Sequence, residues 1–198
     1  TNTMFWLRTG IGVMKFVHPD DTNRDEKEEY IRKKAEPAIR YAEILLIYAE
    51  ALNELTGNYN IASWDEETQY TIQRNIDEMK KGIQPIRIRA GIPDYTRSEY
   101  EDQDLFREKL KRERQIELMG EGHRYYDIRR WKDAEVEESL PIYGCNTLMT
   151  EKWRDVFHVP VAIPSLPTNF SRKMYFWPIS HSELKRNKML TQNPGWTY

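Results

Sequence analysis

The sequence has little that would support metal or covalent chemistry. It contains one cysteine, Cys145, so it cannot form an internal disulfide, and a lone cysteine is most often an inert packing residue. Its four histidines show neither His-x-x-x-His nor Cys–His spacing, the patterns that typically supply zinc ligands. There is also no glycine-rich phosphate loop and no Gly-x-Ser-x-Gly elbow. We therefore expect no metal and no cofactor.

An excess of charge of one sign and a long apolar run are also missing. The formal net charge is −2, and 30 basic residues are interleaved with 32 acidic ones, so the sequence does not indicate a nucleic-acid partner. No apolar run approaches the ~20 residues that a membrane-crossing helix needs, and Thr1 does not open a signal-type segment. With 198 residues and 39% hydrophobic content, the chain is long enough for one domain with its own core.

The segment from Phe106 to Trp131 is the most informative part of the chain. Phe106 and Leu110 share one face of a predicted helix, and by helical spacing the next positions on that face are Glu113 and Glu117. Carboxylates that face a core are tolerated only with partners. Arginines are available on the same helix and after a break at residues 120–122. We interpret the segment as a buried or half-buried structural Arg–Glu network, formed by Glu113, Arg114, Glu117, Glu121, Arg124, Asp127, Arg129 and Arg130. The alternative is a solvated run of charges.

The same segment resembles a signature of the SusD/RagB family of outer-membrane nutrient-binding proteins. Three more segments agree with the family in the same order, namely residues 40–52, 87–93 and 178–196. Two details depart from the family pattern, because Gln84-Pro85 replaces the usual Asn and Trp196 stands where Tyr is commoner. Family members are much longer, so residues 1–198 correspond to the C-terminal part of such a domain, without its N-terminal half.

This resemblance implies a mainly α, SusD-like helical fold with a tetratricopeptide-like helix pair, long irregular loops and minor β structure. It also implies a non-catalytic protein that binds a glycan or another nutrient at the outer surface of the outer membrane. The ligand would be an oligo- or polysaccharide, delivered to a SusC-like TonB-dependent transporter. The lipid anchor of the family lies on a cysteine outside this chain.

Residues 38–56 carry apolar stripes at helical spacing and predict a buried helix that ends at Gly57. The turn that follows resembles that of one tetratricopeptide unit. Ser63 to Glu66 read as a capping box, which predicts a second helix with Trp64 facing inward and Gly82 at its end. Residues 87–93 are predicted to form a loop.

The rest of the chain contains further signals for helix starts, loops and a strand. Ser98 with Glu101 predicts the start of the helix that carries the Arg–Glu network, and a short helix is expected after Gly122. Residues 134–152 lack periodicity and predict an exposed excursion. The alternation of Val159, Val161 and Ile163 indicates a short strand, and residues 180–183 are expected to cap a last helix.

Paired carboxylates also raise the alternative of a glycoside hydrolase or its accessory domain. Glu113 and Glu117 are four residues apart, but an arginine partner for each would lower the pKa of its carboxyl and remove a general acid. We therefore expect no catalytic residue.

The remaining function is binding, for which aromatic residues are the natural candidates. They make up 12% of the chain, and flat rings stack on the apolar faces of sugars. Loop aromatics are better candidates than those at core spacing, so Tyr95, Tyr143 and Trp153 are the predicted ligand contacts. A tetratricopeptide-type protein-interaction scaffold is the other alternative function.

Overall fold

The computed structural model describes residues 7, 9–18, 21–23, 29–30, 32, 37–149, 152–164, 166 and 168–197. It is mostly helical with a few short antiparallel strand pairs, which confirms the mainly α prediction. The chain forms two compact units, one of residues 18–124 and the other of residues 1–17 with 125–198.

The described residues of the unit 18–124 form two strand pairs and four complete helices. Its elements in chain order are β1 (Thr22–Asn23), β2 (Glu29–Tyr30), α1 (Tyr41–Asn53), β3 (Tyr59–Ala62), β4 (Gln69–Ile72), α2 (Ile76–Arg89), α3 (Arg97–Glu101) and α4 (Gln103–Glu117), and α5 (His123–Arg130) begins at its end. Strand β1 pairs with β2, and β3 pairs with β4.

The core of this unit lies among α1, α2 and α4. Apolar residues spaced three or four apart on each helix point to the same place, as helical periodicity requires. The fully buried side chains include Leu46, Met79, Ile83, Tyr100 and Phe106. The rings of Tyr100 and Phe106 lie 4.7 Å apart, so an aromatic contact joins α3 to α4 within this core.

Helices α1 and α2 lie close together at Gly82. A Cβ atom at this position would lie 2.5 Å from the backbone oxygen of Leu45 and 2.9 Å from the Cβ of Ala49. The prediction that Gly82 ends a helix is therefore wrong, because Gly82 lies inside α2. Its lack of a side chain is needed for helix packing.

The helix predicted from the Ser63 capping box is also wrong at its start. Residues 59–72 form a two-stranded hairpin, with Ile61 opposite Tyr70 in its register. The polar Ser63 and Asp65 serve its turn, where Ser63 accepts a hydrogen bond from the backbone N–H of Thr68 at 3.0 Å. Aromatic and β-branched residues favour a strand, and the same short polar side chains suit turns as well as caps. A hairpin, and not the short turn of a tetratricopeptide unit, thus connects α1 and α2.

Helix α2 starts at the cap Asn75, whose side chain accepts from the N–H of Glu78 at 3.1 Å. It continues through Pro85 to Arg89, so the first three residues of the predicted 87–93 loop are helical. Proline removes one helical hydrogen bond, but Ile83 and Ile86 on either side are buried in the core. This packing holds the helix together where local propensity would end it.

The prediction that the helix carrying Glu113 and Glu117 begins at Ser98 is wrong, because the chain first forms the short helix α3 and leaves helical structure at Asp102. Thr96 is the cap of α3 and forms a complete capping box with Glu99. Asp102 then caps α4 by accepting from the N–H groups of Asp104 and Leu105. The chain therefore forms two helices in succession, α3 and the longer α4 that carries Glu113 and Glu117. Each of them has its own N-terminal cap.

The other unit is more irregular. After α5 it contains α6 (Ala134–Glu137), β5 (Tyr143–Gly144), α7 (Trp153–Val156), β6 (Val161–Ala162), a 3-10 helix (Arg172–Tyr175) and α8 (His181–Arg186). Strand β6 lies within the predicted Val159–Ile163 strand and pairs with β5. Ser180 caps α8 through the N–H of Glu183, as expected.

Its small core contains Ile128, Ala134 and Phe170. The terminal turn is joined to the 3-10 helix by Trp196, whose indole N–H donates to the carbonyls of Lys173 at 3.0 Å and Phe176 at 2.9 Å. A tyrosine has no N–H donor in its ring, so these two hydrogen bonds are specific to the tryptophan at position 196. No helix in the described part of the chain is long and apolar enough to span a membrane.

Candidate functional site

Glu113 lies on α4 with its carboxylate turned into the protein. Its Oε2 atom accepts hydrogen bonds from Arg87 Nη1 at 2.6 Å and from the Tyr95 hydroxyl at 2.8 Å. The Arg87 guanidinium also stacks on the Tyr95 ring, 3.9 Å from its centre, and donates to the Pro93 carbonyl at 2.7 Å. Helix α2 and the loop after it therefore supply the partners of this carboxylate.

One turn further along α4, Glu117 forms a second group of contacts. Arg40, which precedes α1, donates to Glu117 Oε1 at 2.9 Å and to the Glu117 backbone carbonyl at 2.9 Å. The same guanidinium binds both carboxylate oxygens of Glu121, at 2.8 and 2.7 Å. Arg89 pairs with the other oxygen of Glu117. This arrangement ties the start of α1 and the end of α2 to the end of α4.

The pKa shifts of Arg40 and Tyr95 agree with hydrogen bonds to ionised carboxylates. Hydrogen bonding to Glu121 raises the pKa of Arg40 above its ordinary value, although burial acts in the opposite direction. Burial and the hydrogen bond to Glu113 raise the pKa of Tyr95 well above its ordinary value. Arg40 thus stays charged and Tyr95 stays a neutral donor at any physiological pH.

A neighbouring carboxylate gives a pH dependence that can be measured. The hydrogen bond from Lys109, followed by those from Thr96, lowers the pKa of Glu99 from 4.5 to about 2. Because the folded pKa is depressed, the stability that this group contributes is complete above about pH 4.5 and is lost as the pH falls towards 2. We expect a carboxyl-carbon NMR titration to show this midpoint and Lys109→Met to raise it. An unshifted midpoint in the variant would contradict the assigned cause.

The other residues of the predicted network lie in two places. In the unit of residues 18–124, Arg114 is buried and faces Glu50 of α1, with its Nε 3.8 Å from a carboxylate oxygen, and Arg124 is half-buried. In the other unit, Arg130 pairs with Asp127 at 2.9 Å. Arg129 pairs with Glu138 at 3.1 Å, and its guanidinium lies 3.5 Å from the centre of the Tyr125 ring.

Sequence reasoning placed the carboxylates on the buried face but missed important partners. Arg40 directly precedes α1, and Arg87 and Arg89 belong to α2. These arginines lie 26 to 81 residues from their carboxylate partners along the chain. The only signal that could have found them was their presence in the family-like motifs at residues 40–52 and 87–93.

The predicted ligand contacts lie in three different settings. Tyr95 is half-buried and packs against the core, and its contacts with Glu113 and Arg87 favour a structural role. Tyr143 is in β5, with 58% of its surface exposed. Trp153 is the first residue of α7, but its side chain lies outside the described residues.

The structure exposes aromatic side chains that sequence reasoning assigned to the core or passed over. In the unit of residues 18–124 they include Tyr59, Trp64 and Tyr70 on the β3–β4 hairpin and Tyr41 and Tyr48 on α1. In the other unit they include Tyr126 and Trp177. The alternation of Tyr59 and Ile61 could have indicated the first strand of the hairpin. Among the described residues, no group of three or more His, Cys, Asp or Glu side chains could hold a metal ion.

Comparison with known proteins agrees with this helical arrangement. The model of the SusD family matches residues 1–196. The chain belongs to the SusD family. The resemblance inferred from the four collinear motifs is thereby confirmed, and members of this family are known as carbohydrate-binding outer-membrane proteins.

Individual relatives agree with the family model. SusD-like protein P2 of Formosa agariphila is 31% identical over 162 residues, which are 80% of this chain and 25% of that protein. The crystal structure of a SusD-like protein from Bacteroides fragilis superposes with a TM-score of 0.59 at 28% identity, covering 80% of this chain and 25% of the other. The structure of BT4246 superposes with a TM-score of 0.60 at 25% identity, over 80% of this chain and 23% of that one. The chain thus spans about a quarter of the length of these relatives.

Proposed function

We propose that this protein is a non-catalytic binder of glycan, or of a related nutrient, at the cell surface. It would be lipid-anchored in the outer membrane and deliver its ligand to a SusC-like TonB-dependent transporter. Membership of the SusD family is the observation that carries this proposal.

The partners of the carboxylates support a binder over a glycoside hydrolase. A general acid must reach the leaving group of its substrate, whereas Glu113, Glu117 and Glu121 each accept hydrogen bonds from arginine guanidinium groups. These side chains are occupied in tying helices together and are poorly placed to meet a substrate.

The exposed aromatics supply the kind of surface that sugar binding needs. The exposed ring of Tyr143 combines an apolar face with its own hydroxyl, which matches the mixed surface of a sugar ring. We keep Tyr143 and Trp153 as proposed ligand contacts, and we regard Tyr95 as structural.

A glycan array tests this function directly. The full-length protein and the isolated segment of residues 1–198 would be applied to the same array. Binding by both places a site in this segment, whereas binding by the full-length protein alone places the site elsewhere in the protein. An absence of binding by both would contradict the glycan proposal and favour another nutrient or a protein-interaction scaffold.

A variant in this segment sharpens the test. If Tyr143 contacts the ligand, Tyr143→Ala should weaken binding about fivefold, since one ring contact contributes about 1 kcal/mol. Leu140→Ala is the matched control, because Leu140 is exposed to a similar extent at 54% and lacks a ring. Equal binding by the two variants would remove Tyr143 from the site.

A further inference from the structure

We propose that the β3–β4 hairpin is a carbohydrate-binding platform for uncharged glycans, with Trp64, Tyr59 and Tyr70 as its stacking residues. This inference rests on the proposed function and names both a site and a substrate class. It starts from the position of Trp64, which is 95% exposed at the tip of the hairpin. An exposed indole offers a flat apolar surface on which a sugar ring can stack.

The turn that carries Trp64 is held by a set of hydrogen bonds. The backbone N–H of Ser63 donates to the Thr68 carbonyl at 2.7 Å, and that of Glu66 donates to the Ser63 carbonyl at 2.9 Å. Side chains add to this, since Ser63 donates to Asp65, and Asp65 accepts from the N–H of Glu67 at 3.2 Å. Glu66 takes a left-handed conformation with a φ of 62°. The tip is therefore preorganised, which lowers the entropic cost of binding.

One face of the two strands carries further aromatic side chains. Ile61 lies opposite Tyr70, and Tyr59 lies opposite Ile72, so these side chains share a face. Tyr59 and Tyr70 are diagonal neighbours, a relation that separates residues by about 7–8 Å, and each is about half exposed. The Tyr59 hydroxyl also lies 3.3 Å from the Thr56 hydroxyl, which restrains that ring. Two rings at this spacing can serve adjoining sugar units.

The opposite face supplies a natural contrast. Asn60 and Thr71 face each other across the strands, and the Thr71 hydroxyl donates to the Asn60 side chain at 2.8 Å. This face is exposed and polar. Among the strand residues 59–62 and 69–72, the face of Tyr59 and Tyr70 thus carries the flat rings that sugar stacking uses.

Charge decides which glycans fit this surface. Residues 58–73 contain Asp65, Glu66 and Glu67 but neither lysine nor arginine. Hydrogen bonding from Ser63 lowers the pKa of Asp65, so the tip stays negative. Uronate or sulfate groups would be repelled by like charges, whereas the hydroxyls of neutral sugars can donate hydrogen bonds to these carboxylates and the sugar rings can stack without that cost.

Size favours a small ligand over a protein partner. A stable protein interface usually buries ~1,200–2,000 Å², while the apolar face consists of four cross-strand residues and the tip. A few stacked sugar units match that surface in extent and in chemistry.

The experiment uses the full-length protein and native affinity gels containing neutral or anionic polysaccharides. The neutral probes are soluble starch, xylan, mannan and laminarin, and the anionic ones are polygalacturonate and chondroitin sulfate. We expect retardation by at least one neutral probe and by neither anionic one. Trp64→Ala should weaken that binding about fivefold, and Trp64→Ala with Tyr70→Ala should weaken it further.

Thr71→Ala on the polar face is the matched control and should bind like the wild type. Thermal unfolding of each variant separates lost binding from lost folding, and Trp64→Phe, which keeps a ring, should restore most of the affinity. If the wild type binds a neutral probe and Trp64→Ala binds equally well, the platform is wrong but the proposed function stands. Lower stability in Trp64→Ala without weaker binding would show that protein covers the tip, which also overturns the platform. If the wild type binds no neutral probe, the platform is overturned, and the glycan array decides separately whether the proposed function stands.

Discussion

Replacing Glu117 with alanine is expected to lower the free energy of unfolding by about 3–5 kcal/mol, the usual cost of breaking a buried ion pair. The Glu117 side chain is 10% exposed and its partner Arg40 is 19% exposed. Removing the Glu117 carboxylate leaves the poorly hydrated Arg40 guanidinium without one of its two carboxylate partners. Glu121 is the partner that stays. The exposed Arg89 adds little to the cost. Urea unfolding of the variant and the wild type measures the difference.

Glu108 provides the control on the same helix. Its side chain is 70% exposed and pairs with Lys111 at 3.2 Å. Glu108→Ala should therefore cost less than about 1 kcal/mol. A loss of that small size in Glu117→Ala as well would show that Glu117 is solvated and that the Arg–Glu contacts do not hold α1, α2 and α4 together.

Gly82→Ala is expected to destabilise the protein by about 2–3 kcal/mol, as overpacking of a close contact does. Helix propensity alone predicts the opposite, because alanine stabilises a helix interior by about 1 kcal/mol relative to glycine. The added Cβ would lie 2.5 Å from the Leu45 backbone oxygen, and backbone cannot move aside without separating α1 from α2. Steric repulsion thus outweighs propensity. Thermal or urea unfolding measures the sign.

Gly57→Ala is the matched control, since no atom lies within 4 Å of a Cβ at that position. It should be neutral or stabilise the protein by up to about 1 kcal/mol through the unfolded state. If Gly82→Ala also stabilised the protein, the close approach of α1 and α2 at Gly82 would not exist in solution.

The helices that sequence patterns predicted best are those with a sustained apolar stripe. Predicted residues 38–56 became α1, Tyr41–Asn53, and the face of Phe106 and Leu110 continued to Glu113 as a buried face of α4. The Ser180 cap was also predicted correctly, because capping depends only on residues within one turn.

The connection between α1 and α2 was predicted incorrectly for a physical reason. Ser63 and Asp65 suit either a helix cap or a hairpin turn, and the choice depends on whether Tyr59 to Ala62 can pair with a second strand. Gly82 and Pro85 likewise read as helix ends, yet the burial of Ile83 and Ile86 holds α2 together through them. At Gly82 and Pro85, helix packing therefore outweighed local propensity.

Local sequence was sufficient for the mainly α class, for the membership of the SusD family and for which face of α4 is buried, because periodicity, caps and motifs are properties of neighbouring residues. Tertiary structure decided which arginine meets which carboxylate, since Arg40 and Arg87 reach α4 from distant parts of the chain. It also decided that Tyr95 packs inward while Trp64 stands in solvent. Burial is a property of the whole packed chain, and residue type alone does not specify it.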